Sequence, residues 1–166
     1  MRIEAAATYP ATADEVARML ADPEFVRRRD AAAGALSSTA ETEGDPAGAF
    51  VVRSTRSLPT DDVPQVARRF VGDTLELRQV DTWEAPGPDG ARAGSMTLEV
   101  SGAPVRLSAR LSLTPAGEGQ ATEAVQGDLV ASVPLVGGKL EKAAEPAVQA
   151  AIRSEERVGR EWLAGR

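Results

Sequence analysis

Neither cysteine nor histidine occurs in this chain, so any chemistry must come from carboxylates, hydroxyls, amines and guanidiniums. Thiol nucleophiles, disulfides, zinc fingers, histidine-ligated haem and the serine–histidine–aspartate triad are all excluded. Among the remaining groups, Asp81 and Glu155 are the candidates for acid–base work. Asp81 alternates with Leu75, Leu77, Gln79 and Trp83 along one strand face. With that face turned inward, Gln79 and Asp81 become polar groups in an apolar pocket. A carboxyl so placed holds its proton more tightly and can donate or accept it near neutrality. Glu155, on a C-terminal helix, would be its opposite number. The competing reading puts these residues at a rim, or pairs Asp81 with Arg53, Arg56 or Arg78, and neither is assigned as catalytic.

Other chemical signals are weaker. Asp61-Asp62 is the densest acidic pair, but calcium takes about six to eight oxygens, more than one loop offers here. Aspartates before a helix serve as caps and dipole partners, so no metal is expected. Tyr9, the only tyrosine, offers a hydroxyl to a ligand or closes a core edge. Gly137-Gly138 precedes a helix but lacks the Gly-x-Gly-x-x-Gly pattern of a phosphate-binding turn. A strand-to-helix joint with unusual backbone angles accounts for it better. No cofactor is implied.

The elements that must position these groups are legible. Residues 2–9 alternate, with Ile3, Ala5, Ala7 and Tyr9 on one side, and Pro10 ends the strand. Thr12 to Glu15 has the form of a capping box, and Asp22-Pro23 of a capped second helix start. Phe25 and Val26 anchor that second helix, Arg27, Arg28 and Arg29 face solvent, and Gly34 stops it. Strands are expected over 36–43, 50–58, 75–83, from Met96 to Val100, 105–113 and 120–133, separated by Gly/Pro-rich turns, which suits an antiparallel meander. A short amphipathic helix is expected over 60–71. The tail, 139–164, is the longest helical stretch, about 39 Å at 1.5 Å per residue, and Pro146 should kink it or mark its first well-formed turn.

Composition narrows the partners. At 166 residues the chain has the size of one domain. Aromatics make up 4% of it, so alanine, valine and leucine must build the core, and such a core needs close shape matching or leaves room for something else. A net charge of −6 repels phosphate backbones, so nucleic acid and anionic membranes are poor partners. The longest apolar runs fall short of the ~20 residues that span a bilayer, and the first residues lack an apolar signal core. Cytoplasmic placement is the expectation.

The stretches Tyr9-Pro10-Ala11-Thr12-Ala13-Asp14-Glu15-Val16 and Leu20-Ala-Asp-Pro23 resemble the opening strand, capped helix and Asp-Pro step of the START-like superfamily (Bet v 1-like, polyketide cyclase-like, SRPBCC). Leu58-Pro59-Thr60-Asp61-Asp62, Arg68 to Gly72, Ser132 to Glu141 and Glu161-Trp162-Leu163 are similar to one bacterial branch, domain of unknown function 2505. The resemblance covers nearly the whole chain. It implies an α+β helix-grip fold: a curved antiparallel sheet of about seven strands, two short helices after the first, and a long C-terminal helix across the sheet. The superfamily's members bind lipids, hormones or polyketides, act as cyclases, or partner other proteins, so fold does not settle function.

On a 100° wheel, Leu140, Ala144, Ala147, Ala151, Val158 and Trp162 form one stripe of the last helix, with Glu155 beside it. The stripe is bulky at its ends and small in the middle. Within the implied fold, those alanines leave space for an apolar ligand, or else let helix and sheet approach closely. The helix over 60–71 lies where a lid would, with Val63, Val66 and Phe70 inward, or it plugs a sheet edge. The candidate ligand-binding set is Val66 and Phe70 on that helix; Leu77, Gln79 and Trp83, then Met96, Leu98 and Leu107, on strands; and Ala147, Ala151 and Val158 on the last helix. Three functions remain open. The first is a binding module for a small apolar, lipid- or polyketide-like molecule. The second is a protein-interaction domain with a filled core. The third is a cyclase- or dehydratase-type enzyme using cavity carboxylates.

Overall fold

A computed structural model describes residues 1–165. Seven strands form one antiparallel sheet, in the order β1-β7-β6-β5-β4-β3-β2: β1 (Arg2–Tyr9), β2 (Ser37–Gly44), β3 (Phe50–Pro59), β4 (Thr74–Trp83), β5 (Arg92–Val100), β6 (Val105–Pro115) and β7 (Ala121–Ala131). Helices α1 (Ala13–Ala21) and α2 (Pro23–Ala32) link the two edge strands, α3 (Gln65–Val71) joins β3 to β4, and α4 (Gly137–Ala164) ends the chain. This is the helix-grip arrangement that the resemblance implies.

Local signals explain most boundaries. Thr12 and Glu15 cap each other reciprocally at the start of α1, at 2.8 and 3.2 Å. Asp22 accepts from the Glu24 amide at 2.9 Å, with Pro23 in the first turn of α2. In β1, Ile3 and Tyr9 are buried on the inward face; in β6, Leu107, Ala109, Leu111 and Leu113 are. Helix α3 begins at Gln65 rather than Thr60 because Pro64 occupies its N-cap and biases Val63 away from helical angles. Its C-terminus abuts the β5–β6 turn, where a Cβ on Gly102 would stand 3.1 Å from the Phe70 carbonyl oxygen.

The core lies in two parts. The larger joins α1 and α2 to the sheet through Val16, Met19, Phe25, Phe50, Trp83 and Leu113. The smaller consists of Ile3, Leu107 and Leu129, with Ala144, Val148 and Ile152 of α4 packed on it. α4 is seated firmly at both ends. Gly137 approaches β7 so closely that a side chain there would strike the Ala131 carbonyl. Gly159 lies flat on the Tyr9 ring, where a Cβ would stand 2.7 Å from Tyr9 Cε1. Between these anchors the helix bridges the sheet, and it runs through Pro146 without a break.

Candidate functional site

The space under α4 is a cavity of about 430 Å³. Its apolar wall comes from Ile3 on β1, Leu75 and Leu77 on β4, Met96, Leu98 and Val100 on β5, Leu107 on β6, Val125 and Leu129 on β7, and Ala147, Ala151 and Ile152 on α4. Strand alternation delivers these side chains inward, and the alanine stripe keeps α4 from filling the gap they leave. Leu58 and Asp62 lie on the side nearest α3.

At the opposite end the wall becomes polar. Arg29 is 7% exposed and donates to Asp30 Oδ1 at 3.1 and 3.0 Å and to Glu155 Oε2 at 3.1 Å. Ser38 donates to Asp30 Oδ2 at 2.6 Å. Arg56, 8% exposed, donates to Gln79 Oε1 at 3.0 Å and lies 3.5 Å from Asp30 Oδ1. Gln79 in turn donates through Nε2 to both Asp81 oxygens, at 3.0 and 2.9 Å. A continuous polar chain therefore runs from Glu155 through Arg29, Asp30, Arg56 and Gln79 to Asp81.

Glu123, on β7, joins this end at 7% exposure. Burial, reinforced by the Glu155 and Asp81 charges, pushes its carboxyl well above the usual range, and Arg29 and the Tyr9 hydroxyl offset this only in part. Asp81 is pushed up to about 6, chiefly by burial, although part of its surface stays open. Tyr9 is raised by burial and then by Glu123 and Glu155. Arg56 is lowered by burial and by its neighbour Arg29. Among the described residues, neither Asp81 nor Glu123 has a cation within ion-pairing distance.

A family model described as "Protein of unknown function (DUF2505)" matches residues 4–163. The chain belongs to the DUF2505 family. Solved structures similar to this DUF2505 chain include a protein from Thermus thermophilus (TM-score 0.64, 16% identity, covering 97% of this chain and 95% of that one). Another is the Zhui aromatase/cyclase from a Streptomyces species (TM-score 0.60, 14% identity, 97% and 92%). A third is a START superfamily protein from Mycobacterium smegmatis (TM-score 0.57, 12% identity, 98% of each). At such identities the likeness shows the fold. No curated protein matches the sequence.

Of the residues singled out from sequence, the DUF2505 cavity collects Leu77, Gln79, Met96, Leu98, Leu107, Ala147, Ala151 and Glu155. Four others stand elsewhere. Trp83 stacks on Phe50, with ring centroids 6.5 Å apart, because Gly94 on β5 leaves room for its indole in the main core. Val158 packs into that same core beside α1 and α2. Val66 is 39% exposed and Phe70 only half-buried, on a two-turn helix that buries no residue. Arg68 holds α3 to its own preceding loop, donating to Val63 and Asp61 carbonyls at 3.0 and 2.8 Å, and Arg69 lies over the Phe70 ring. Asp81 reaches the cavity's polar end only through Gln79.

Arg29 is also a correction: it is buried, because α4 brings Glu155 over it. Its neighbour Asp30, 1% exposed, follows it inward. Glu123 is a wall carboxyl that the sequence pattern alone does not single out. Its signal was present in the alternation Ala121, Glu123, Val125, Gly127, Leu129, which places a carboxyl among apolar neighbours on one face. The pair Asp61-Asp62 is exposed in the turn before α3, and no described helix is long and apolar enough to cross a membrane.

Proposed function

We propose that this DUF2505 chain binds a small, mainly apolar molecule in the cavity beneath α4. One observation carries the reading: a space of about 430 Å³ with apolar walls and a charged inner end. The space is not sealed and carries charged groups, so water can occupy it in the absence of a ligand. Covering its aliphatic walls with an apolar body would contribute roughly 25 cal/mol per Å² removed from water, which favours such an occupant. At about 30 Å³ per water-sized group the space suits a molecule of roughly ten to fifteen non-hydrogen atoms. A lipid- or polyketide-like body matches the aliphatic walls. A filled-core interaction domain would need no such space.

The test is mass spectrometry of protein purified from its native host, comparing gentle ionisation with a solvent-denatured extract. One small molecule per chain, released on denaturation, is the expected result. Purified protein with nothing bound, and no affinity for simple aliphatic probes, would turn the assignment to an interaction domain.

A second reading, proton transfer within the same cavity, draws on Glu123 and Glu155, two wall carboxyls in unlike environments. It predicts that a bound molecule is chemically altered by the protein and left unaltered by Glu123→Gln.

A further inference from the structure

The polar end of the cavity holds more carboxyls than cations. Among the described residues at this end, Asp30, Glu123 and Glu155 line the wall with Arg29 and Arg56, and Asp81 stands behind Gln79. Both guanidiniums are already engaged: Arg29 lies between Asp30 and Glu155 at 3.0 and 3.1 Å, and Arg56 is held by Gln79 at 3.0 Å and Asp30 at 3.5 Å. Glu123 is left on the wall, more than nine-tenths buried, without an ion-pair partner among the described residues. The second oxygen of Glu155 is likewise without a hydrogen bond there, and Asp81 has only the Gln79 amide. An anionic headgroup entering this end would find both guanidiniums already taken, whereas a cation would let the buried Glu123 carboxyl release its proton and pair with it, completing the set. Burying an unmatched charge is costly and pairing it removes much of that cost.

We infer that the cavity's ligand is a cationic amphiphile, an aliphatic body along β4–β7 and α4 whose protonated amine seats against Glu123 beside Glu155. The inference rests on the binding reading above and adds the chemistry of the headgroup. Arg56 then serves to hold Asp30 and Gln79 in place, and Tyr9 closes the pocket behind Glu123.

The experiment compares decylamine, decanol and decanoate by calorimetry at pH 7.5 and physiological salt, below their micelle concentrations. It uses the wild-type chain, Glu123→Gln and Ala151→Trp, each first shown to be folded by circular dichroism and thermal melting. Decylamine is expected to bind the wild type at least tenfold more tightly than either other probe. Glu123→Gln should lose that preference while keeping decanol affinity, and Ala151→Trp should lose all three. Equal or tighter binding of decanol or decanoate overturns the amine assignment and leaves the cavity reading intact. Failure of all three probes overturns both. An amine preference unchanged in Glu123→Gln overturns the placement, since the attraction would then come from the acidic surface.

Discussion

Arg29 on α2 and Glu155 on α4, 126 positions apart in sequence, meet at 3.1 Å at the polar end of the cavity. The contact ties the helix that lies over the cavity to α2, and through Asp30 it continues to β2 and β3. Both the stability of the domain and the charge of its pocket depend on this junction.

Arg29→Met should therefore be severely destabilising. It strips the nearer of two cations from Asp30, itself 1% exposed, leaving Arg56 at 3.5 Å, and breaking a buried pair from one side costs up to about 3–5 kcal/mol. Glu155→Gln keeps an acceptor for Arg29 at a more accessible position and should cost less than about 1 kcal/mol. Urea titration of both variants tests this, and equal midpoints would show that the network does not support the fold.

Gly159→Ala sets two effects against each other. Alanine gains about 1 kcal/mol of helix propensity over glycine. Its Cβ, however, would stand 2.7 Å from Tyr9 Cε1 and 3.2 Å from Met19 Cε, and overpacking costs about 1–3 kcal/mol. The clash should win, lowering the melting temperature, because the Tyr9 ring is locked in the core. Gly138→Ala, with nothing within 4 Å of its Cβ, should leave stability unchanged or raise it by up to about 1 kcal/mol. A melt in which both variants behave alike would refute the close packing of α4 on β1.

Ala151→Trp places an indole in open space rather than into packed atoms. It should change unfolding free energy by less than about 1.5 kcal/mol and abolish probe binding. An unfolded variant would mean that the alanine stripe is a packing contact and that the cavity is closed in solution.

The pH dependence follows from Asp81. Its carboxyl is pushed up to about 6 in the folded state, from an ordinary value of 3.8, so the native form binds the extra proton between these values. Its contribution to stability is complete below about pH 4 and is lost as pH rises through 6. Partial exposure of the side chain limits the effect to roughly 1–3 kcal/mol. Asp81→Asn should accordingly stabilise the protein at pH 7.5 and have little effect at pH 4, as read from denaturation curves at both. Half-exposed Glu24 and Glu76, lowered by hydrogen bonds to arginine and serine neighbours, act in the opposite sense and lose their contribution below their ordinary range. The subtraction between wild type and variant removes them.

Much of this protein is a property of its sequence alone. Alternation in residues 2–9 and 105–113, the Thr12–Glu15 box and the Asp22-Pro23 step act through nearest neighbours along the chain, so they specify β1, β6, α1 and α2 without reference to anything distant. The small-residue stripe of α4 likewise marked where space could lie, because helical periodicity assigns Ala144, Ala147 and Ala151 to one face. Tertiary structure alone decided what that space contains. Arg29 reads as one of three solvated arginines until α4 folds back and supplies Glu155. Trp83 and Val158 share faces with cavity residues, yet the far ends of β4 and α4 run into the α1–α2 core, so periodicity could not separate them. Val66 and Phe70 lie outside because the two-turn α3 buries no residue, and how closely a surface helix seats is not set by its own periodicity. Glu123 becomes a candidate site residue only when β7 pairs with β1 and β6 and brings it near Asp81 and Glu155. Burial and charge proximity, which set a carboxyl's proton affinity, depend on distances between residues far apart in the chain, and those distances exist only in the folded molecule.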